Sequence, residues 1–351
     1  MNKRMILYIQ GAILLIESAI MVLPIATALI YREPAGVWFF YTALAAAICG
    51  FAAMKLSRPR TKTIYAKEGL ITVALGWIEL SLVGALPFTL SGEIPFYLDA
   101  VFEMISGFTT TGSSILPNVE ALSRCMLLWR SFSHWLGGMG ILVFMLAIVK
   151  MEGGQGIHLL RAESPGPTVG KMVPRMVDSS KILYTIYFAL TLVQVVFYLA
   201  GGMPLFDAFC NAFATAGTGG FSIKADSFAS YSPYLQTVTT VFMALFGVNF
   251  SIYFFLLQKK FDLAFKNTEL RWYVGIILFS IAMITANILP MYPDFHAAIH
   301  HAAFSVSSVI TTTGFGTENF DLWPEFSRVI LVFLMIVGCL LYTSPSPRDC
   351  S

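Results

Sequence analysis

An all-α polytopic membrane fold, built from an internal repeat, is what this sequence predicts, and three observations carry the prediction. Hydrophobic residues make up 57% of the 351 residues and charged ones only 12%, with a mean hydropathy of +0.73. A soluble domain of this length does not read so apolar. Apolar stretches recur at about 5–30, 37–54, 69–90, 125–149, 182–201, 233–258, 271–290 and 327–341, most of them near the roughly 20 residues needed to cross a bilayer. Between them, positive charge falls in alternate loops.

That alternation sets a topology. Lys3 and Arg4, then Lys55, Arg58, Arg60, Lys62 and Lys67, then Lys150, Arg161, Lys171, Arg175 and Lys181, then Lys259, Lys260, Lys266 and Arg271 share one side. The other side carries Arg32, Arg124, Lys224 and Arg328, a ratio of roughly four to one, and by the positive-inside rule the richer side, with the N-terminus, is cytoplasmic. The first apolar run lacks a small-residue cleavage site and reads as a retained span. A net charge of +2 with dispersed basic residues excludes nucleic acid as a partner. Cys49, Cys125, Cys210, Cys339 and Cys350 are scattered, without the spacing of a zinc site or disulfide framework, so no transition-metal site is expected.

Three outer loops hold segments too short and too rich in Gly and Thr to span, yet too apolar for a solvated loop. They are DAVFEMISGFTTTGSSIL at 99–116, FDAFCNAFATAGTGGFSI at 206–223 and HAAFSVSSVITTTGFGTENF at 301–320. They align as Thr110-Thr111-Gly112, Thr215-Ala216-Gly217 and Thr312-Thr313-Gly314. About ten helix-compatible apolar residues precede each, and another span follows. A single Thr/Gly cluster is as well explained by helix packing or a turn. Three copies on one side, at a period of about 100 residues, instead imply units arranged around a common axis.

The residue types fit backbone lining a wet cavity, since non-helical backbone at membrane depth survives only there or inside protein. Glycine admits positive φ and close approach, rings of carbonyls replace a cation's water shell, and the C-terminal end of the short helix adds partial negative charge.

These loops, together with Trp129-Arg130-Ser131 through Trp135-Leu136-Gly137-Gly138-Met139-Gly140 and Asn211-Ala212-Phe213, resemble the Trk/Ktr/HKT potassium transporter superfamily from about Ile6 to Cys339. The resemblance implies a two-helix extension at 1–62 and pore units at 63–155, 175–262 and 268–339, from a set of four around a pseudo-fourfold pore. It implies potassium as substrate with no cofactor, and ion binding at Thr110, Thr111, Gly112, Thr215, Ala216, Gly217, Thr312, Thr313 and Gly314. Glu103, Arg130 and Asn211 are expected to support the pore. Glycine rather than serine at Gly112 goes, within the family, with potassium preference. The resemblance further implies the bacterial inner membrane, a homodimer, and a cytosolic nucleotide-binding regulatory subunit docked on basic loops such as Gly154 to Lys181. Coupling to protons or sodium stays open.

After Gly338-Cys339 the family continues into an intramembrane loop and a fourth unit. Here Leu340 to Ser351, LLYTSPSPRDCS, switches to Ser, Pro and a charge pair, which reads as a foreign tail on a truncated frame. The chain is therefore expected to be a fragment.

Several residues carry two readings. Arg130 and His134, one turn apart in an apolar span, position the first loop or line the ion path, the former preferred. His296, His300 and His301 form a hydrated interfacial cluster in preference to a metal site. Asp99 and Asp207 read as helix N-terminal charges. A membrane enzyme would need a polar catalytic set that is not evident; an inverted-repeat symporter would alternate the loops' sides; a structural protein leaves the matched loops unexplained. A non-conducting fragment, a structural membrane protein and a sodium-permeable cation transporter of the same family are the remaining alternatives.

Overall fold

The computed structural model describes residues 2–59, 66–140 and 176–343. They form helices joined by turns, with no strand among the described residues. Most of the basic loop at Gly154 to Lys181, Lys62, and tail residues 344–351 lie outside them. Among the described residues, five helical segments are long and apolar enough to cross a membrane: Lys3–Tyr31, Gly36–Leu56, Lys67–Ser91, Lys181–Ala200 and Thr268–Met291. The chain divides into two compact units, the second beginning in earnest at Ile182.

In the first unit, α1 (Lys3–Ile20) and α2 (Val22–Tyr31) make up one apolar run interrupted at Met21. Pro24 explains the break, because its ring nitrogen has no hydrogen to donate to the preceding turn. Helix α3 (Gly36–Leu56) has two faces. Val37, Phe40, Leu44, Ile48 and Phe51 stand exposed at helical spacing, the surface a lipid solvent covers. Gly36, Phe39, Ala43, Ala46 and Gly50 face inward. Small residues on that face matter because lipid gives helices no hydrophobic reason to associate, so contact has to come from close backbone approach. Gly11 and Gly50 supply it: a Cβ on either would lie 2.7 Å from the other's carbonyl oxygen.

Helix α4 (Ala66–Ser91) then leads into the short α5 (Tyr97–Phe108) and, after an outer loop, α6 (Arg124–Met139). Trp129 of α6 donates its indole N–H to Gly84 O of α4 at 3.0 Å and stands edge-on to Phe39 and Phe108, which ties the extension, span and short helix together.

The second unit repeats the plan twice. Helices α7 (Met176–Ala200), α8 (Leu205–Ala216) and α9 (Pro233–Phe246) form one set. Helices α12 (Thr268–Ile288), α13 (Phe295–Ile310) and α14 (Glu325–Thr343) form the next, packed by Ile277, Ile284 and Ile288 against Ala298, Ala302, Val306 and Ile310 and against Leu331 and Leu334.

Between the sets, the apolar run expected to span over 233–258 is divided into α9 and α10 (Phe250–Leu257), followed by the short α11 (Phe261–Phe265). The break falls at Gly247, where a Cβ would meet the Tyr273 hydroxyl at 2.5 Å and Thr311 Cγ2 at 2.6 Å. Carbonyls orphaned at the end of α9 are recovered by tyrosines: Tyr273 donates to Ala244 O at 2.9 Å and Tyr253 to Leu245 O at 2.6 Å. A helix end at membrane depth is tolerated only with such partners.

Gly50→Val is expected to force α1 and α3 apart and to lower stability by about 1–3 kcal/mol, the usual cost of overpacking. Thermal unfolding in mild detergent measures it, and an unchanged transition would mean that the two glycines do not set this contact.

Candidate ion-binding loops and their support

Each of the three short helices ends in the same turn. In the first, the amide of Thr110 bonds to Gly107 O at 3.1 Å and that of Thr111 to Ser106 O at 2.9 Å, with Thr110 left-handed at φ 56° and Gly112 at φ 76°. In the third, Thr312 bonds to Val309 O at 3.1 Å and Thr313 to Ser308 O at 2.9 Å, with Thr312 at φ 57° and Gly314 at φ 84°. The pattern is a Schellman helix ending, in which the left-handed residue is normally glycine. Here it is threonine, whose branched Cβ makes that conformation unfavourable. Repeated backbone strain of this kind marks positions held for a function.

The second loop carries the identical turn three residues later than the sequence alignment put it. Thr218 bonds to Thr215 O at 3.0 Å and Gly219 to Ala214 O at 3.1 Å, and Thr218 at φ 51° and Gly220 at φ 78° are the left-handed pair. Thr215 and Ala216 belong instead to the last turn of α8, and Gly217 caps it in right-handed geometry at φ −73°. The Thr215 hydroxyl turns back to Asn211 O at 2.7 Å, buried in the helix. The alignment matched the first Thr-x-Gly encountered. Counting from Asp99-Ala100 and Asp207-Ala208, which begin both helices, would have paired Gly112 with Gly220, as would the shared Gly220-Phe221 and Gly314-Phe315.

The first and third turns also share side-chain bonding. Thr109 donates to Ile105 O at 2.7 Å and therefore accepts from Thr111 at 2.8 Å. Thr311 donates to Ser307 O and accepts from Thr313, both at 2.7 Å. The second turn has Gly217 and Gly219 at these places and substitutes close packing: a Cβ on Gly220 would lie 2.0 Å from Thr313 O. The second and third loops thus touch backbone to backbone. Farther out they are tied by Phe228 N to Gly316 O at 3.0 Å and Gly316 N to Ser227 Oγ at 3.2 Å.

Behind the first loop, α6 presents Arg130, His134 and Gly137 along one face to α5. The Arg130 guanidinium meets the Glu103 carboxylate at 2.6 Å, both side chains buried, and Glu103 also accepts from Ser114 Oγ at 3.0 Å and Ile115 N at 3.1 Å. One turn on, His134 Nδ1 lies 2.8 Å from Gly107 O; a carbonyl only accepts, so the proton sits on Nδ1. At Gly137 a Cβ would stand 2.2 Å from Phe108 O, so only glycine lets α6 approach the end of α5. Gly338 repeats this contact, with a Cβ 2.4 Å from Ile310 O.

Asn211 occupies in α8 the place Glu103 holds in α5, and a neutral network replaces the ion pair. Its Nδ2 donates to the Tyr231 hydroxyl at 3.3 Å, which burial keeps protonated by pushing its pKa up. Beside it, Tyr198, Gln194 and Thr239 bond at 2.8 Å each. Ser305 takes the same place in α13 and is buried.

His300 lies 2.7 Å from Gln236 Oε1, and His301 lies 3.2 Å from Thr317 Oγ1 and stacks on Tyr292. Burial lowers both imidazole pKa values. His296 is exposed, and among the described residues no group of three metal-ligating side chains comes together.

Apolar spans alternating with short helices that end in strained turns are the build of a membrane cation transporter, not of an enzyme. The chain belongs to the TrkH family of cation transport proteins, whose match covers residues 38–343. It is 35% identical over 344 residues to the Trk system potassium uptake protein TrkH of Salmonella typhimurium, covering 96% of this chain and 71% of that one. With the Trk system potassium uptake protein TrkG of Escherichia coli K12 it shares 30% identity over 343 residues, covering 96% and 70%. The crystal structure of the potassium transporter TrkH from Vibrio parahaemolyticus is similar at a TM-score of 0.83 and 31% identity, over 95% of this chain and 70% of that one.

Arg130→Met strands a buried carboxylate and is expected to cost about 3–5 kcal/mol, whereas Arg130→Met combined with Glu103→Leu restores most of it. Chemical unfolding of both variants decides; equal losses would show that the pair acts through something other than charge compensation.

Proposed function

We propose that this chain is a potassium-uptake subunit of the Trk type, passing potassium down its electrochemical gradient through a filter of backbone carbonyls. The observation that carries the reading is the turn repeated at three helix ends, each with threonine and glycine left-handed two residues apart. Such backbone presents oxygens without side-chain charge, and a ring of oxygens selects cations by replacing their hydration shell.

On this reading the ion-binding residues are Thr110, Thr111 and Gly112, then Thr218, Gly219 and Gly220, then Thr312, Thr313 and Gly314. Thr215, Ala216 and Gly217 become part of the supporting helix end. Glu103 and Arg130 lock the first loop from behind, and Asn211 does so for the second. The C-terminal ends of α5, α8 and α13 add partial negative charge near the ion.

The distribution of Lys and Arg supports a cytoplasmic N-terminus, and the family supports the bacterial inner membrane, homodimer formation and a nucleotide-binding regulatory subunit on the cytoplasmic face. Gly112 favours potassium over sodium.

Rubidium uptake in a potassium-uptake-deficient bacterial strain tests the reading. Gly220→Ala is expected to reduce uptake at least about tenfold, because its Cβ collides with Thr313 O and its backbone disfavours a side chain. Gly217→Ala, in ordinary helical backbone, keeps most of it. Gly112→Ser loosens selectivity toward sodium. Equal loss in the Gly217 and Gly220 variants would refute the second-loop register, and uptake indifferent to all three would refute the filter.

A further inference from the structure

Among the described residues of the first unit, two glutamates are fully buried, Glu17 and Glu103, and their surroundings are opposite. Glu103 has the Arg130 guanidinium, the Ser114 hydroxyl and the Ile115 amide. Glu17, on α1, is 0% exposed, and neither of its carboxyl oxygens has a hydrogen-bond partner among the described residues. Its oxygen Oε1 points at α4 and α5, 3.3 Å from where a Cβ on Gly84 would stand, beside Met104 Cε and Phe108 Cε2. Glu79 of α4, half-buried, follows one turn after Gly76, where a Cβ would lie 3.0 Å from Ile13 of α1, and so stands on the face α4 turns to α1. Its Oε2 is also buried without a partner among the described residues.

Other titratable groups on the packed elements do not compensate this pair. On α3, Tyr41, Cys49 and Lys55 are exposed. On α5, Tyr97 is committed to Leu82 O, Asp99 adds only negative charge, and Glu103 is held by Arg130. On α6, His134 is committed to Gly107 O. On α2, Tyr31 is exposed. An ionised carboxylate in such a place is prohibitively costly and takes up a proton instead; a second carboxyl nearby disfavours its ionisation further by like-charge repulsion. Intramembrane acids placed this way mark functional sites.

We propose that Glu17 of the N-terminal extension and Glu79 of α4 form a proton-binding site, whose occupancy governs the packing behind the first filter loop. The link is Phe108, the last residue of α5 and the neighbour of Thr109. With the proton bound, the Glu17 carboxyl is neutral and rests against Met104 and Phe108. When it leaves, the carboxylate needs water, which this interface admits only by parting α1 from α4 and α5. Only this link rests on the filter reading; the proton site does not.

Two measurements test the proposal on the full chain in lipid nanodiscs and in cells. Infrared spectroscopy with hydrogen–deuterium exchange should show a protonated-carboxyl band that fades as pH rises. Glu17→Gln removes the band, and Glu79→Gln moves the pH at which it fades. Rubidium uptake should decline over the same pH interval in the unmodified chain and be flat with pH in Glu17→Gln. A carboxyl band that survives Glu17→Gln unchanged overturns the proton site. Loss of the band with an unchanged pH profile of uptake overturns its link to the filter. Absent uptake at every pH in every variant, with the band intact, is a failure of the filter reading alone, because the infrared signal does not depend on transport.

Discussion

A backbone N–H or C=O at membrane depth has no water to turn to, and this one constraint organises the chain. The short helices α5, α8 and α13 stop inside an apolar layer, so each must dispose of its last carbonyls. The paired bonds of the Schellman turn consume two of them. At α5 and α13, threonine hydroxyls take more, and the next span closes over the end through Gly137 or Gly338. Strain at Thr110, Thr218 and Thr312 is sustained because everything behind them is already fixed.

The scaffold is repeated but its support is not. Behind the first loop stands a buried ion pair, behind the second a net of amide and hydroxyl groups, and behind the third an apolar core. A buried ion pair is poor evidence of stability by itself, since desolvation consumes much of its attraction. Its value here is geometric: Arg130 holds Glu103, which in turn receives Ser114 and Ile115 from the segment beyond the loop. The asymmetry gives the first loop a buried ion pair in its support.

Helix association follows from the same solvent. Lipid-facing residues such as Phe40 and Phe51 gain nothing by meeting another helix, so contacts are made where side chains are missing, at Gly11 with Gly50 and at Gly247 beneath Thr311. Where the extension approaches the first unit's short helix, a carboxyl has been placed in the interface, at Glu17, which sets that contact apart from the others.

Spans and the presence of repeated Thr/Gly loops were legible in the sequence, because bilayer thickness and the cost of charge in lipid write themselves into runs of about 20 apolar residues. The partnership of Glu103 with Arg130 was legible only as two charges out of place. The turn of the second loop falls three residues beyond the place the matching letters gave it, although the Asp-Ala starts of α5 and α8 contained this, since Thr215-Ala216-Gly217 offers the same letters while lying in helical backbone. The division at Gly247 was equally hidden, because hydropathy measures how apolar a residue is and not what crosses its path. Sequence by itself determined that this chain lives in a membrane and carries repeated units. Which glycine turns left-handed, which carbonyl is covered and which acid is left without a partner were decided only by tertiary structure, because φ angles and hydrogen bonds belong to contacts between segments far apart in the chain.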